Sequence, residues 1–295
     1  MARKPNFFII GAPKCGTTSL ATYLREHPKI FFPARKELLF FNTDMASRAV
    51  RSEADYYGYF SDAQPQHIAV GEGSVTYLYS DAAVPNILKA IPDAKFIVMA
   101  RNPIDMAVSL HAQLHRQGDE NLKDFATAWH VQEKRKKGKR IPPLCTDPSL
   151  LLYGNVCSVG WQLKRLYTRV ARHRVLVLFQ DDLKRDTRSV YLQTLEFLGV
   201  PDDGRTAFGV HNTRQPRLRS QLFQAVLRSI GVLKLRLGVK RSFRILPLIE
   251  RLNVTSVRES VIDREFKVEL AQYFRNDVEE MSTLVDRDLS AWLRV

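Results

Sequence analysis

The sequence predicts an α/β protein in three layers, with a mainly parallel central sheet flanked by helices. Three observations carry that expectation. Apolar runs of strand length recur at residues 6–10, 95–100 and 174–180. Helix-like apolar spacing follows each of them. The runs are almost continuously apolar rather than alternating, as strands covered on both faces are, and strand–helix alternation makes neighbouring strands parallel.

The first run, Asn6-Phe7-Phe8-Ile9-Ile10, ends at Gly11. After a short loop, Ser19-Leu20-Ala21-Thr22-Tyr23-Leu24 continues at helical spacing until Pro28. The second run leads into Asn102-Pro103, with proline at a first helical turn, and a helix is expected to about Gln117. The third follows an amphipathic stretch over 159–171 and precedes a helix over 190–198 that Gly199 closes. Residues 205–250 are rich in Arg and Lys, and helical periodicity returns over 266–292. The economical reading is one domain over 1–295, with a basic helical or loop region at about 205–260 and a C-terminal helical tail.

Composition narrows the function classes. Hydrophobic residues make up 45% of the 295, enough for a core, which excludes global disorder. A formal net charge of +14 calls for anionic partners, whether nucleic acid, anionic glycan, a phosphate-rich cofactor or a membrane surface. Cys15, Cys145 and Cys157 show neither metal-ligand spacing nor a paired framework, so reduced thiols and no metal site are expected. No apolar stretch reaches the roughly 18 residues of a membrane span. The N-terminal apolar run is shorter than a signal peptide's core. A cytoplasmic protein is the expectation, with membrane contact at most peripheral, through basic patches.

The chemistry concentrates in Gly11-Ala12-Pro13-Lys14-Cys15-Gly16-Thr17-Thr18. A strand-to-helix loop presents free N–H groups, and the helix dipole adds positive charge. Gly16 allows close approach to an anion, Thr17, Thr18 and Ser19 add hydroxyls, and Lys14 adds a full charge. The loop is P-loop-like, with the glycine spacing of Gly-x-x-x-x-Gly-Lys-Ser/Thr. Its lysine is displaced, however: Thr17 follows the second glycine and the lysine stands at Lys14. The second strand ends in Arg101 rather than in an aspartate for Mg²⁺, which phosphoryl transfer requires.

These motifs resemble those of the sulfotransferases that use 3′-phosphoadenosine 5′-phosphosulfate (PAPS) and release the bisphosphate PAP. Pro13-Lys14-Cys15-Gly16-Thr17-Thr18 is similar to their 5′-phosphosulfate loop, and Arg101-Asn102-Pro103-Ile104-Asp105 with Ser109 to their 3′-phosphate motif. Arg101 can fork onto a phosphate, and Ser109 lies eight residues on. Glu37-Leu38-Leu39-Phe40-Phe41 resembles the Glu-x-x-Phe-Phe segment of the heparan-sulfate-type and bacterial carbohydrate branch, where the glutamate is the general base. Gly71-Glu72-Gly73-Ser74 resembles their Glu-Lys-Ser/Thr segment, and the likeness extends over about residues 6–200, with a familiar tail near Arg287 and Trp292. Two positions depart from the pattern: Gly73 replaces a lysine and Leu39 a polar residue, often histidine.

The resemblance implies transfer of a sulfuryl group to a hydroxyl or amine of a carbohydrate, glycosylated or lipid acceptor, without metal. Glu37 would act as base, its pKa raised by Phe40 and Phe41, and Lys14 would stabilise the leaving phosphate. Lys14, Cys15, Gly16, Thr17, Thr18, Ser19, Arg101, Ser109 and Arg217 would bind the donor, with Arg214 and Arg219 competing for the place of Arg217. Bland alternatives stand beside these. Glu37 can pair with Lys36 or Arg35, Arg101 with Asp105, and Cys15 can be a filler whose backbone N–H alone matters. His111 or His115 is the alternative base, Trp129 and Trp161 are core residues or sugar platforms, and the basic run from Lys134 to Arg140 is a solvated helix end or a docking patch. The competing classes are a P-loop kinase and a basic protein that binds anionic polymers; no specific nucleic-acid partner is expected.

Overall fold

In the computed structural model, residues 3–209, 217–218, 254–255 and 262–295 are described. The strands are β1 (Phe7–Gly11), β2 (Ile30–Phe31), β3 (Ala69–Gly73), β4 (Lys95–Ala100), β5 (Val175–Phe179), β6 (Arg217–Leu218) and β7 (Val254–Thr255). The helices are α1 (Thr17–Arg25), α2 (Glu53–Gly58), α3 (Ala83–Ala90), α4 (Pro103–Gln117), α5 (Phe125–His130), α6 (Gln132–Lys136), α7 (Tyr153–Cys157), α8 (Val159–Tyr167), α9 (Gln180–Arg185), α10 (Thr187–Leu198) and α11 (Arg264–Val285). By Cα proximity the chain divides into two units, one of residues 1–107, 154–212 and 264–295, the other of 108–153 and 213–263.

The first unit holds a five-stranded sheet in the order β2-β3-β1-β4-β5. Every neighbouring pair is parallel, with Phe7 opposite Gly71 and Lys95, and Phe96 opposite Val175. The expected α/β fold with a parallel sheet and flanking helices is therefore present. β1 and β3 are buried at every position, as central strands of a sheet covered on both faces must be. The order reverses at β1, so the ends of β1 and β4 open at a switch point, where α/β sheets bind ligands.

Two helices in this unit are joined through a carboxylate. Asp277 on α11 is buried and accepts from the first amides of α8, Gly160 at 3.1 Å and Trp161 at 2.8 Å. The two backbones approach so closely that a Cβ on Gly160 would collide with the Asp277 carbonyl. Burial raises the Asp277 carboxyl to about 6. Beyond α11 the chain returns to the sheet: Asn102 Nδ2 donates to the Trp292 carbonyl at 2.9 Å, and the Trp292 ring packs 6.0 Å from Phe179. Arg287 pairs with Asp182 and lies 4.2 Å over the Phe179 ring.

In the second unit Glu120 forms a two-pronged pair with Arg135 at 2.7 and 2.8 Å and accepts from Tyr153 Oη at 2.7 Å. Both charges are fully buried, and their hydrogen bonds hold the Glu120 carboxyl below the usual carboxylate range despite that burial. This corrects the reading of the basic run as wholly solvated. Arg135 is the buried anchor, while Lys134, Lys136, Lys137, Lys139 and Arg140 are exposed. β6 and β7 pair antiparallel in this unit.

Candidate active site

The loop after β1 is shaped by two left-handed residues. Lys14 has φ +65° and Gly16, the residue before α1, has φ +89°. Gly16 is required there, since a Cβ would stand 3.3 Å from Leu183 Cδ2 on a backbone that side chains rarely adopt. α1 has no side-chain cap and no acid in its first turn, so its own first turn leaves its N-terminal amides and dipole without an anion. Thr17 is buried, Thr18 exposed, and Lys14 and Ser19 half-buried.

The loop is tied to the neighbouring strands through the Lys14 carbonyl. That oxygen accepts from Arg101 Nη1 at 3.4 Å and from Gln180 Nε2 at 3.3 Å. Arg101 follows β4 and Gln180 follows β5, so three strand ends converge on one peptide group. Arg101 Nη2 also reaches Asp105 Oδ2 at 3.4 Å, the pairing the sequence allowed. Asp105 is exposed, which makes that pair weak. Arg101 Nε is buried without a hydrogen-bond partner among the described residues.

Cys15 is not a nucleophile. Burial pushes its thiol up to about 12 against the lowering influence of Arg101 and Lys14. Its Sγ–H points to the Pro13 carbonyl at 3.4 Å and lies 3.7 Å from Met106 Sδ.

Glu37 stands on a segment laid across the end of β3. It is left-handed at φ +62°, and its amide donates to the Gly73 carbonyl at 2.8 Å. Its Oε2 accepts from the Val75 amide at 2.9 Å, and Oε1 pairs with Lys36. The pairing with Lys36 is thus real and coexists with a half-exposed carboxylate facing the sheet end. Phe40 stacks on Tyr56 at 4.5 Å rather than on the carboxylate. At Gly73 a Cβ would stand 3.3 Å from Lys36 Cε, so the Lys36 methylenes fill the space beside that glycine.

Two residues beyond the sequence expectation belong to the site. Gln180 is one; only its place directly after a strand marks it. Glu72 is the other, an acid within a fully buried strand and itself 0% exposed. Burial raises its carboxyl to about 8, opposed by the Ser74 hydroxyl and reinforced by the charge of Glu37. Its place in the segment Gly71-Glu72-Gly73-Ser74 was the sequence signal for it.

Ser109 is half-buried on α4. His111 is buried, its Nε2 2.9 Å from the Leu122 carbonyl and its ring beside Phe125, and burial lowers its pKa. His115 is buried as well. Trp129 packs against Phe125 in the core, whereas Trp161 is half-exposed with Lys164 5.5 Å over its ring. Arg217 lies on β6, but its side chain, like Arg214 and Arg219, lies outside the described residues.

A parallel sheet with an uncapped helix after its first strand, a lysine in the loop and an arginine at the next strand end is an arrangement suited to receiving an anion. Residues 4–230 match the family model of the sulfotransferase domain, and the chain belongs to that family. It is 25% identical over 302 residues, 98% of its length, to bifunctional heparan sulfate N-deacetylase/N-sulfotransferase 4 of Mus musculus, of which it spans 31%. It is 30% identical over 105 residues, 36% of its length, to membrane-associated sulfotransferase kil1 of Dictyostelium discoideum, of which it spans 22%. The chain thus covers less than a third of these two relatives. A sulfotransferase crystal structure from Alicyclobacillus acidocaldarius superposes with a TM-score of 0.73 at 29% identity, covering 99% of this chain and 100% of that one. The chain thus carries a sulfotransferase domain rather than a kinase domain. Among the described residues no helix is long and apolar enough to cross a membrane.

Proposed function

We propose that the protein transfers the sulfuryl group of PAPS to a hydroxyl or amine of a carbohydrate-containing acceptor, releasing PAP. The observation that carries the donor assignment is the convergence of Arg101 and Gln180 on the Lys14 carbonyl beside the uncapped start of α1. Lys14 and the amides of Cys15, Gly16, Thr17, Thr18 and Ser19 would hold the 5′-phosphosulfate. Arg101, Ser109 and Arg217 are assigned to the 3′-phosphate on sequence pattern. Once bound, the donor supplies the group transferred.

The chain's own residues supply the rest. Glu37 takes the proton from the acceptor as its oxygen or nitrogen attacks, a contribution of about 10²–10⁴-fold for a positioned base. Lys14 neutralises charge that grows on the departing phosphate. Support for a carbohydrate acceptor comes from the heparan sulfate relative, which is named for N-sulfation.

The test is thermal. PAP at 100 times its Kd should stabilise the protein by about 2.7 kcal/mol through linkage. The gain should be lost in Lys14→Ala and should not require Mg²⁺. A shift with Mg-ATP and none with PAP would overturn the donor assignment.

A further inference from the structure

We infer that Glu72 is a positioning residue of the active site: it orients the hydroxyl of Ser74, which together with that of Tyr77 holds the Glu37–Phe41 segment against the end of β3. This rests on the reading of Glu37 as the base.

The segment is held by donors with few backbone acceptors to meet. The Leu39 amide donates to Ser74 Oγ at 3.0 Å. The Phe40 and Phe41 amides donate to Tyr77 Oη at 2.9 and 3.3 Å. Three consecutive amides thus rest on two side-chain hydroxyls. A hydroxyl whose oxygen accepts has one proton left to give, and that proton needs a fixed acceptor. Ser74 gives its proton to Glu72 Oε1 at 2.5 Å. The second Glu72 oxygen, Oε2, and the Tyr56 hydroxyl are buried without a hydrogen-bond partner among the described residues, so the hold of Glu72 on the segment runs through Ser74.

The arrangement matters because the segment does not relax into this shape unaided. Glu37 and Leu39, neither a glycine, are left-handed at φ +62° and +50°. Such residues cost about 1–3 kcal/mol each and persist only where their surroundings hold them. Glu72, Ser74 and Tyr77 are 0%, 0% and 0% exposed, so no water competes for their hydrogen bonds. Phe41 locks the far end against Tyr77 and Tyr56, with ring centroids 6.0 and 5.1 Å apart. Glu72 itself does not contact the acceptor; it acts through the Ser74 hydroxyl.

Amide hydrogen exchange and steady-state kinetics on Glu72→Ala, Glu72→Gln and Ser74→Ala test the inference. In Glu72→Ala, exchange at Leu39, which reaches Glu72 through Ser74, should quicken at least about tenfold. Turnover should fall about 10- to 100-fold as the base loses its geometry, with the donor KM within about twofold of wild type. Ser74→Ala, which removes one hydroxyl and leaves the strand intact, should free Leu39 alone. Glu72→Gln keeps an acceptor oxygen for Ser74 and should restore most of the protection at Leu39. Unchanged protection in Glu72→Ala and Ser74→Ala would overturn the inference. Faster exchange with full turnover would sustain the hold of Glu72 on the segment and remove Glu37 as base.

Discussion

Gly16 and Glu37 each occupy backbone that most residues avoid, for different reasons. Gly16 turns the loop at φ +89°, and a methyl there would stand 3.3 Å from Leu183 Cδ2 and 3.4 Å from Met99 Cε, a tight fit. Gly16→Ala should therefore cost about 1–2 kcal/mol in the left-handed region. PAP affinity should fall with it, because the amides that would hold phosphate are re-aimed; thermal melts with and without PAP measure both effects. Glu37 is held by Lys36, the Val75 amide and the Gly73 carbonyl. Glu37→Gln keeps the shape and the Val75 contact but loses the proton acceptor. Turnover should drop about 10²–10⁴-fold while PAP affinity stays put, as titration of PAP would show. Weakened PAP binding with retained turnover would instead place Glu37 on the donor.

At the scale of elements, α8 and α11 depend on one side chain. Asp277 satisfies two amides at the start of α8 from a buried position, so Asp277→Ala leaves both donors unpaired next to a closely packed backbone. A loss of about 1–3 kcal/mol is expected, read by chemical denaturation, with Asp277→Asn intermediate because its amide oxygen still accepts. Legibility from sequence followed the same logic of contrast. β1, β4 and β5 were visible because Phe7–Gly11, Lys95–Ala100 and Val175–Phe179 are buried and almost wholly apolar. β3 was not, because Ala69-Val70-Gly71-Glu72-Gly73 has two glycines and an acid. Those glycines admit neighbours: a Cβ at Gly71 would meet the rings of Phe7 and Phe32. β2, two residues long, carries no periodicity at all. The loop, Arg101 and Glu37 were legible as local motifs. Gln180 and Glu72 act through contacts between residues more than thirty positions apart in the chain, which spacing cannot report.

For the whole molecule, buried carboxyls shape how stability varies with pH. Glu72 is raised from 4.5 to about 8 and Asp277 from 3.8 to about 6, chiefly by burial. In both cases the native state keeps a proton that the unfolded chain releases. Their contribution is thus greatest below the unfolded values and is lost as pH rises, through about 6 for Asp277 and about 8 for Glu72. Asp182, Asp124 and Glu120 are held below their usual range by Arg287, by Thr127 and by Arg135 with its neighbours, so their contribution is present above the ordinary carboxylate range and lost as pH falls. His111, kept neutral by burial, opposes folding below about 6.5, the unperturbed value for histidine. A single melting curve mixes all of these. Subtracting the melting temperature of the wild type from that of Glu72→Gln cancels every group but Glu72 and those in contact with it. That difference should climb between pH 5 and 8 and level off above, since the amide carries no charge into the core as the carboxyl does. A flat difference across that window would mean that Glu72 is ionised throughout, the Ser74 hydroxyl solvating it well enough to offset burial.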